Sequence, residues 1–225
     1  MNLSIVIPAY NEAENLNILA KRITNALESF ENYEVIIVDN ASTDNTQKVL
    51  NEIKQKHPEI ISIYESKKGF GNALLAGFRV AQGEVIGYIH ADNQMDPADI
   101  IRIYQNLKEN SFSVCKASRL DRHDGLMRLI ISRVYNLLFR VMFAVKLNDI
   151  NGSPKLFTRQ FFNDANLTSK DWFIDPEIMI KAQKLKQKIG EVPIHTATRN
   201  HGSSQVRATT IWEFIKNMVR YWRQK

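Results

Sequence analysis

Leu3-Ser4-Ile5-Val6-Ile7-Pro8-Ala9-Tyr10-Asn11-Glu12 is the stretch whose reading decides the fold. Its apolar run from Leu3 to Ile7 is too short for a helix and is closed by Pro8, so it reads as a buried strand. Past it the period changes. Asn11 stands where an N-cap would, Glu12 and Glu14 fall in a first turn, and Leu16, Leu19, Ile23, Leu27 and Phe30 recur at helical spacing. The unit then repeats. Glu34 to Asp39 is a strand and Thr43 to Lys56 a helix. Ile60 to Tyr64 precedes a helical stripe of Phe70, Ala73, Leu74, Gly77, Phe78 and Ala81. Glu84 to Ile89 precedes a helix opened by Asp96 and Pro97 and running through Leu107, and Ser113 to Ala117 is a fifth strand. Strands alternating with helices imply right-handed crossovers, hence an α/β protein with a Rossmann-like, mainly parallel sheet covered by helices on both faces.

Beyond about residue 120 the pattern changes. A long helical segment, Leu126 to Lys146, leads into a loop of small and polar residues from Asn148 to Pro154. A short strand near Leu156, helices near Gln160 and Pro176, a strand from Glu191 to His195, a basic loop from Thr198 to Arg207 and a helix from Thr209 to Arg223 complete the chain. Nothing resembles a linker. Residues 1–225 are therefore read as one domain, with 119–225 a catalytic extension of the half formed by 1–118.

The 225 residues hold 30 Lys and Arg against 24 Asp and Glu, a net charge of +6 that favours anionic partners. The basic residues are spread over several elements and no nucleic-acid reader motif occurs, so nucleic acid is not an expected partner. The single cysteine, Cys115, excludes an internal disulfide and a cysteine-based zinc site and fits a reducing, cytoplasmic compartment. The N-terminal residues have no signal-peptide pattern. Leu126 to Leu147 is interrupted by Arg128, Arg133, Arg140 and Lys146, which argues against a membrane span.

In an open parallel sheet, ligands bind beyond the carboxyl ends of the strands. Three polar clusters fall there: Pro8 to Glu12, Asp39 to Asp44, and His90 to Gln94. The first turn lacks G-x-G-x-x-G, and no P-loop occurs, so neither a dinucleotide site nor a glycine phosphate cradle is expected. A divalent cation is the remaining route to phosphate. Asp92 and Gln94 offer two oxygen donors at i and i+2, and Mg2+ or Mn2+ commonly bridges few protein ligands to substrate phosphates. The same side chains also suit plain turn and cap hydrogen bonds.

Ile5 to Glu12, Val38 to Thr46 and His90 to Pro97 together resemble glycosyltransferase family 2. Within it, the likeness is to the dolichol-phosphate mannose synthase and polyprenyl-phosphate sugar transferase branch. It continues through Lys68 to Ala73, Ser118-Arg119, Asp149 to Ser153, Asp175 to Glu177 and Arg199 to Ser204. The resemblance implies a GT-A fold and an inverting transfer of a hexose from a GDP- or UDP-linked donor. It places Pro8, Tyr10 and Glu12 around the nucleoside, Asp39 on the base, Gly71 and Asn72 in the donor site, and Asp92 and Gln94 on the metal and diphosphate. The branch usually carries Asp-x-Asp-x-Gln. Here the first acid is His90, a further candidate ligand and equally a candidate structural histidine.

A phosphate acceptor is already anionic and needs arginines to hold it, whereas a hydroxyl acceptor needs a base. The resemblance assigns Arg119 and Arg133 to the acceptor phosphate and brings Arg199 to the donor diphosphate or acceptor. For a hydroxyl in a polysaccharide or lipid-linked glycan, Asp175 or Glu177 is the candidate base, with the Asp149 loop second. A non-catalytic nucleotide-sugar-binding protein is the remaining alternative, suggested by His90. Leu126 to Lys146 and the stripe Ile211, Trp212, Ile215, Met218, Val219 and Trp222, flanked by Lys216, Arg220, Arg223 and Lys225, suit helices lying at a membrane surface. The expectation is a peripheral protein at the cytoplasmic membrane face; the same stripes also suit core packing, a membrane-protein partner or a homodimer.

Overall fold

The computed structural model describes residues 1–120, 136–143, 149–197 and 208–223, with side chains for all of these except 208–215. Its elements run β1 (Leu3–Ala9), α1 (Ala13–Leu27), β2 (Tyr33–Asp39), α2 (Thr46–Lys56), β3 (Ile60–Tyr64), α3 (Phe70–Val80), β4 (Val85–Tyr88), α4 (Ala98–Glu109) and β5 (Val114–Arg119). There follow the helical residues 136–143 (α5), then β6 (Lys155–Thr158), α6 (Arg159–Ala165), α7 (Ile174–Lys184), β7 (Ile189–Ile194) and α8 (Ala208–Arg223).

The strands form a seven-stranded sheet in the order β3-β2-β1-β4-β6-β5-β7. β1 pairs in parallel with β2 and β4, β2 with β3, and β5 with β7. β6 is antiparallel to both neighbours, β4 and β5. Two reversals cancel, so β5 points the same way as β4 and its end emerges at the same rim. The sheet is thus mainly parallel, as the alternation of strands and helices requires.

Period two sorts β1 between two cores. Leu3, Ile5 and Ile7 face Leu16, Leu19, Ile23 and Leu27 of α1, with Leu50 of α2 and Ile100, Ile103 and Leu107 of α4. Val6 faces the opposite layer, with Leu74 and Phe78 of α3, Phe161 of α6 and Ile174 and Ile178 of α7. Phe78 is wholly buried, and truncating such a ring to alanine costs about 3–5 kcal/mol. Phe139 and Phe143 of α5 and Met218 of α8 join this second core.

Local differences from the sequence reading have local causes. Asn11 does not cap α1. Its φ is 54°, and its side chain turns away to accept from the Thr43 N–H at 2.8 Å, so the cap position passes to Glu12. α2 begins three residues late because Asn40 to Asn45 form a loop whose Asp44 accepts from the Thr46 N–H at 2.9 Å. Asp96 does accept from the Ala98 N–H, at 3.1 Å. The long segment from Leu126 falls among the described residues only at 136–143, and the loop from Thr198 to Arg207 lies outside them.

Candidate active site

The loops that follow the four parallel strands β1 to β4 each contain a sharp bend. Asn11 (φ 54°), Ala41 (56°), Gly69 (147°) and Asn93 (58°) all occupy the left-handed region, where non-glycine residues cost of order 1 kcal/mol. The bends turn the chain back toward the helices and leave four loops side by side on one rim. Those loops are stitched together by short polar side chains. The Asn11 N–H donates to Ser42 Oγ at 3.0 Å, the Glu12 N–H to Thr46 Oγ1 at 3.0 Å, and the Ala13 N–H to Asp44 Oδ2 at 3.3 Å. Buried Asn40 accepts from the Gly69 N–H at 2.7 Å and donates to the Lys67 carbonyl at 2.9 Å. Asn93 donates to the Asn15 carbonyl at 3.0 Å and accepts from Arg22. Burial pushes the Asp44 carboxyl up, but the hydrogen bonds from Thr46 and Ala13 outweigh it and hold the group below its ordinary value.

The sequence-predicted donor residues fall on this rim. Asp39 ends β2 beside Ala9 of β1, is buried, and accepts from the Ser42 N–H at 3.0 Å. Asp92 follows β4, which flanks β1 on the other side, and accepts from the Gln94 N–H at 3.1 Å. With β1 between them, the strands that lead into Asp39 and Asp92 are roughly 10 Å apart across the sheet, twice the interstrand spacing. That is a span suited to a ligand with two polar ends. Pro8 pairs with Val38 on β1 itself. Tyr10 lies under Lys68, whose Nζ is 3.7 Å from the ring centre. The Lys68 ammonium lowers the Tyr10 phenol from its ordinary value. Glu12 accepts from Asn15 Nδ2 at 2.6 Å.

Gly71 and Asn72 open α3 against the segment 168–172. A Cβ on Gly71 would stand 2.2 Å from the Ser169 carbonyl, and the Asn72 N–H donates to the Lys170 carbonyl at 3.1 Å. The neighbouring Phe70 ring lies nearly parallel to Trp172 at 4.3 Å and to His90 at 5.1 Å. His90 is thus part of an aromatic stack two residues from Asp92.

Glu177 is fully buried. It accepts from the Thr168 and Ser169 N–H groups, from Thr168 Oγ1 and from the Tyr221 hydroxyl of α8. Burial, reinforced by Glu177, pushes the Tyr221 phenol up to about 12. Asp175 is also buried and meets Lys155 Nζ of β6 at 2.7 Å. Burial drives the two toward their neutral forms, Asp175 well up and Lys155 well down. Lys116 of β5, equally buried, donates to Glu191 at 2.7 Å, and burial lowers it against the pull of Glu191. Arg119 ends β5 and forms a two-point ion pair with Asp149. Arg133 and Arg199 lie outside the described residues.

Lys68, Asn40, Trp172 and the buried Lys116 and Lys155 were not singled out by sequence. The signal for Lys68 was present, as a cation opening the Lys68 to Ala73 motif. A buried lysine gives no signal, because lysine is ordinarily exposed.

Among the described residues, no group of three or more His, Cys, Asp or Glu converges as a metal site. The donors after β4 are Asp92 with Gln94 and His90. One carboxylate with few helpers suits Mg2+ or Mn2+ that takes its other ligands from a diphosphate and water, so the residues fit the expected ion. No described helix is long and apolar enough to cross a membrane. α5 exposes Leu137, Leu138 and Val141 beside Arg140, and α8 exposes Val219 and Trp222 among Lys216, Arg220 and Arg223. Met218 turns instead into the core.

Comparison with known proteins agrees with this architecture. A dolichol-phosphate mannosyltransferase from Pyrococcus furiosus is 30% identical over 228 residues, which cover 98% of this chain and 63% of that protein. Crystal structures of glucosyl-3-phosphoglycerate synthase from Mycobacterium tuberculosis superpose with a TM-score of 0.77 at 16–17% identity. The superposition with the phosphoglyceric acid complex covers 97% of this chain and 79% of that one. Another of these structures holds Mn2+, uridine diphosphate and phosphoglyceric acid. At that identity the likeness establishes the GT-A fold. Residues 4–165 match the family described as Glycosyl transferase family 2, and the chain belongs to that family.

Proposed function

We propose that the protein transfers a hexose, with inversion, from a nucleoside-diphosphate sugar to a polyprenyl phosphate at a membrane surface. The observation that carries the reading is the division of the rim. Asp39 and Asp92 flank the end of β1 on the donor side, and Arg119 stands at the end of β5 on the same edge. The Pyrococcus relative supports the lipid phosphate acceptor; this chain spans about 63% of its length. The glucosyl-3-phosphoglycerate synthase structures, which hold uridine diphosphate or its glucose conjugate with Mg2+ or Mn2+, support a nucleotide-sugar donor used with such an ion.

In this reading Asp39 accepts a hydrogen bond from the base, while Pro8, Tyr10, Glu12, Gly71 and Asn72 bound the nucleoside and Lys68 adds positive charge beside it. Asp92, with Gln94 and His90, holds the cation. When bound, the cation neutralises charge on the departing diphosphate. Arg119, with Arg133 and Arg199, orients the acceptor phosphate and screens it from the donor. A phosphate oxygen then forms the bond to the anomeric carbon as the bond to the nucleoside diphosphate breaks, so no side chain must take up a proton. The alternative hydroxyl acceptor would need Asp175 or Glu177 as base. Both are buried, one paired with Lys155 and the other surrounded by donors, which favours the phosphate acceptor. The exposed apolar residues of α5 and α8, with their basic neighbours, suit the headgroup region of an anionic leaflet.

The test is incubation with labelled GDP- and UDP-hexoses, Mg2+ or Mn2+ and vesicles containing undecaprenyl phosphate. A lipid-extractable, metal-dependent product from one donor class is expected. Donor binding with no product from any donor would overturn the reading in favour of a non-catalytic role.

A further inference from the structure

Arg119 is clamped on one edge. Its Nε and Nη2 donate to Asp149 Oδ2 and Oδ1 at 2.7 Å each, and its own backbone N–H donates to Oδ2 at 3.2 Å. A guanidinium is a planar fork of five N–H groups with more than one two-donor edge. Fixing the Nε–Nη2 edge fixes the direction of the outer Nη1–Nη2 edge, whose spacing matches two oxygens of a phosphate.

The clamp itself is anchored. Asp149 is 7% exposed and has a left-handed φ of 41°. Its carbonyl accepts from the wholly buried Lys116 Nζ at 2.9 Å and from the Gly152 N–H at 2.8 Å. The next carbonyl, of Ile150, accepts from Lys155 Nζ at 3.3 Å, and the Ile150 N–H donates to Asn136 of α5 at 3.2 Å. A Cβ on Gly152 would lie 2.0 Å from the Ala117 carbonyl, so this loop lies directly on β5. Two buried lysine amino groups and the strand that bears Arg119 thereby hold the backbone of this loop, and with it the Asp149 carboxylate, in place.

We propose that Asp149 is a positioning residue that aims Arg119 at the phosphate of the acceptor. The proposal rests on the phosphate-acceptor reading above. Asp149 touches no substrate; it acts through the guanidinium.

The experiment is a double-mutant cycle on the full chain with farnesyl phosphate as acceptor, measuring KM for acceptor and donor, kcat, and thermal midpoint. Asp149→Asn should raise the acceptor KM about tenfold, the scale of one lost charge-assisted hydrogen bond, with donor KM unchanged. Arg119→Lys keeps the charge but has no second edge, and should raise the acceptor KM at least as much without loss of folding. In an Arg119→Ala background, Asp149→Asn should add nothing to the acceptor KM. An unchanged acceptor KM in Arg119→Ala would overturn the phosphate-acceptor reading itself. A raised KM in Arg119→Ala, together with a full Asp149→Asn effect in that background, would overturn the positioning role alone. Should Asp149→Asn fail to fold, Arg119→Lys decides: acceptor KM at the wild-type value overturns the proposal.

Discussion

The β1–β4 half and the β5–β7 half share one sheet but treat their polar groups in opposite ways. In the first, the buried polar side chains within the strands are few, chiefly Ser4 and Glu34, which bond each other at 2.6 Å, and the candidate site residues Asp39 and Asp92 stand at or beyond the strand ends. In the second, ionisable side chains crowd the interior: Lys116 and Lys155 are 0% exposed, and Asp149, Asp175 and Glu177 are also buried. The contrast teaches that the loops after β1 to β4 are held by short polar side chains at the rim, whereas Arg119 depends on Asp149 and on buried lysines reached from several elements.

Asp175→Ala should produce the largest effect, because it takes from the wholly buried Lys155 its shortest hydrogen-bond partner and leaves a cavity in the core. Breaking a buried pair from one side costs about 3–5 kcal/mol, measurable by denaturant unfolding. The double variant K155M/D175L should recover most of that loss, since apolar replacement of a buried pair is often neutral or better. A loss below about 1 kcal/mol for Asp175→Ala would erase the contrast between the halves. Next in size, Gly71→Ala forces a methyl against the Ser169 carbonyl and should cost about 1–3 kcal/mol. It should also disturb the Phe70–Trp172 stack, visible as a change in Trp172 fluorescence in a variant lacking the other tryptophans. Wild-type stability in Gly71→Ala would mean that α3 and segment 168–172 are not packed as described.

The smallest effect belongs to the loops at the rim. The folded value of Asp44 is depressed, so its contribution is present above the unfolded value near 3.8 and is lost as pH falls through the folded value. The stability gap between wild type and Asp44→Asn should therefore be complete at neutral pH and close below about pH 3.8. A gap that widens in acid would reverse the assigned sign.

Legibility in the sequence follows the same division. β1 to β5 and the helices between them could be read from short apolar runs and helical stripes, because each buries one continuous apolar face. The placement of the rim cluster was legible because strand ends of a parallel sheet gather on one edge, and Asp39 and Asp92 lie on that edge. β6 was visible as a short strand, but its insertion between β4 and β5 was not. Its four residues, Lys155 to Thr158, give no clue to which neighbours they pair with. Nor could Lys116 or Lys155 be read as interior, since their burial depends on Glu191, Asp149 and Asp175, residues distant in sequence. The reassignment of Asn11 from cap to loop staple has the same origin: Thr43 is 32 positions away.

The four left-handed residues that follow β1 to β4 constrain how this site can be redesigned. Asn11, Ala41, Gly69 and Asn93 act as fixed corner posts, and a β-branched side chain at any of them would spring the corner. A library meant to change donor preference should therefore hold these four constant and randomise the residues between them. Ala41 is the informative post: glycine there should relieve the bend and leave more room for destabilising substitutions nearby.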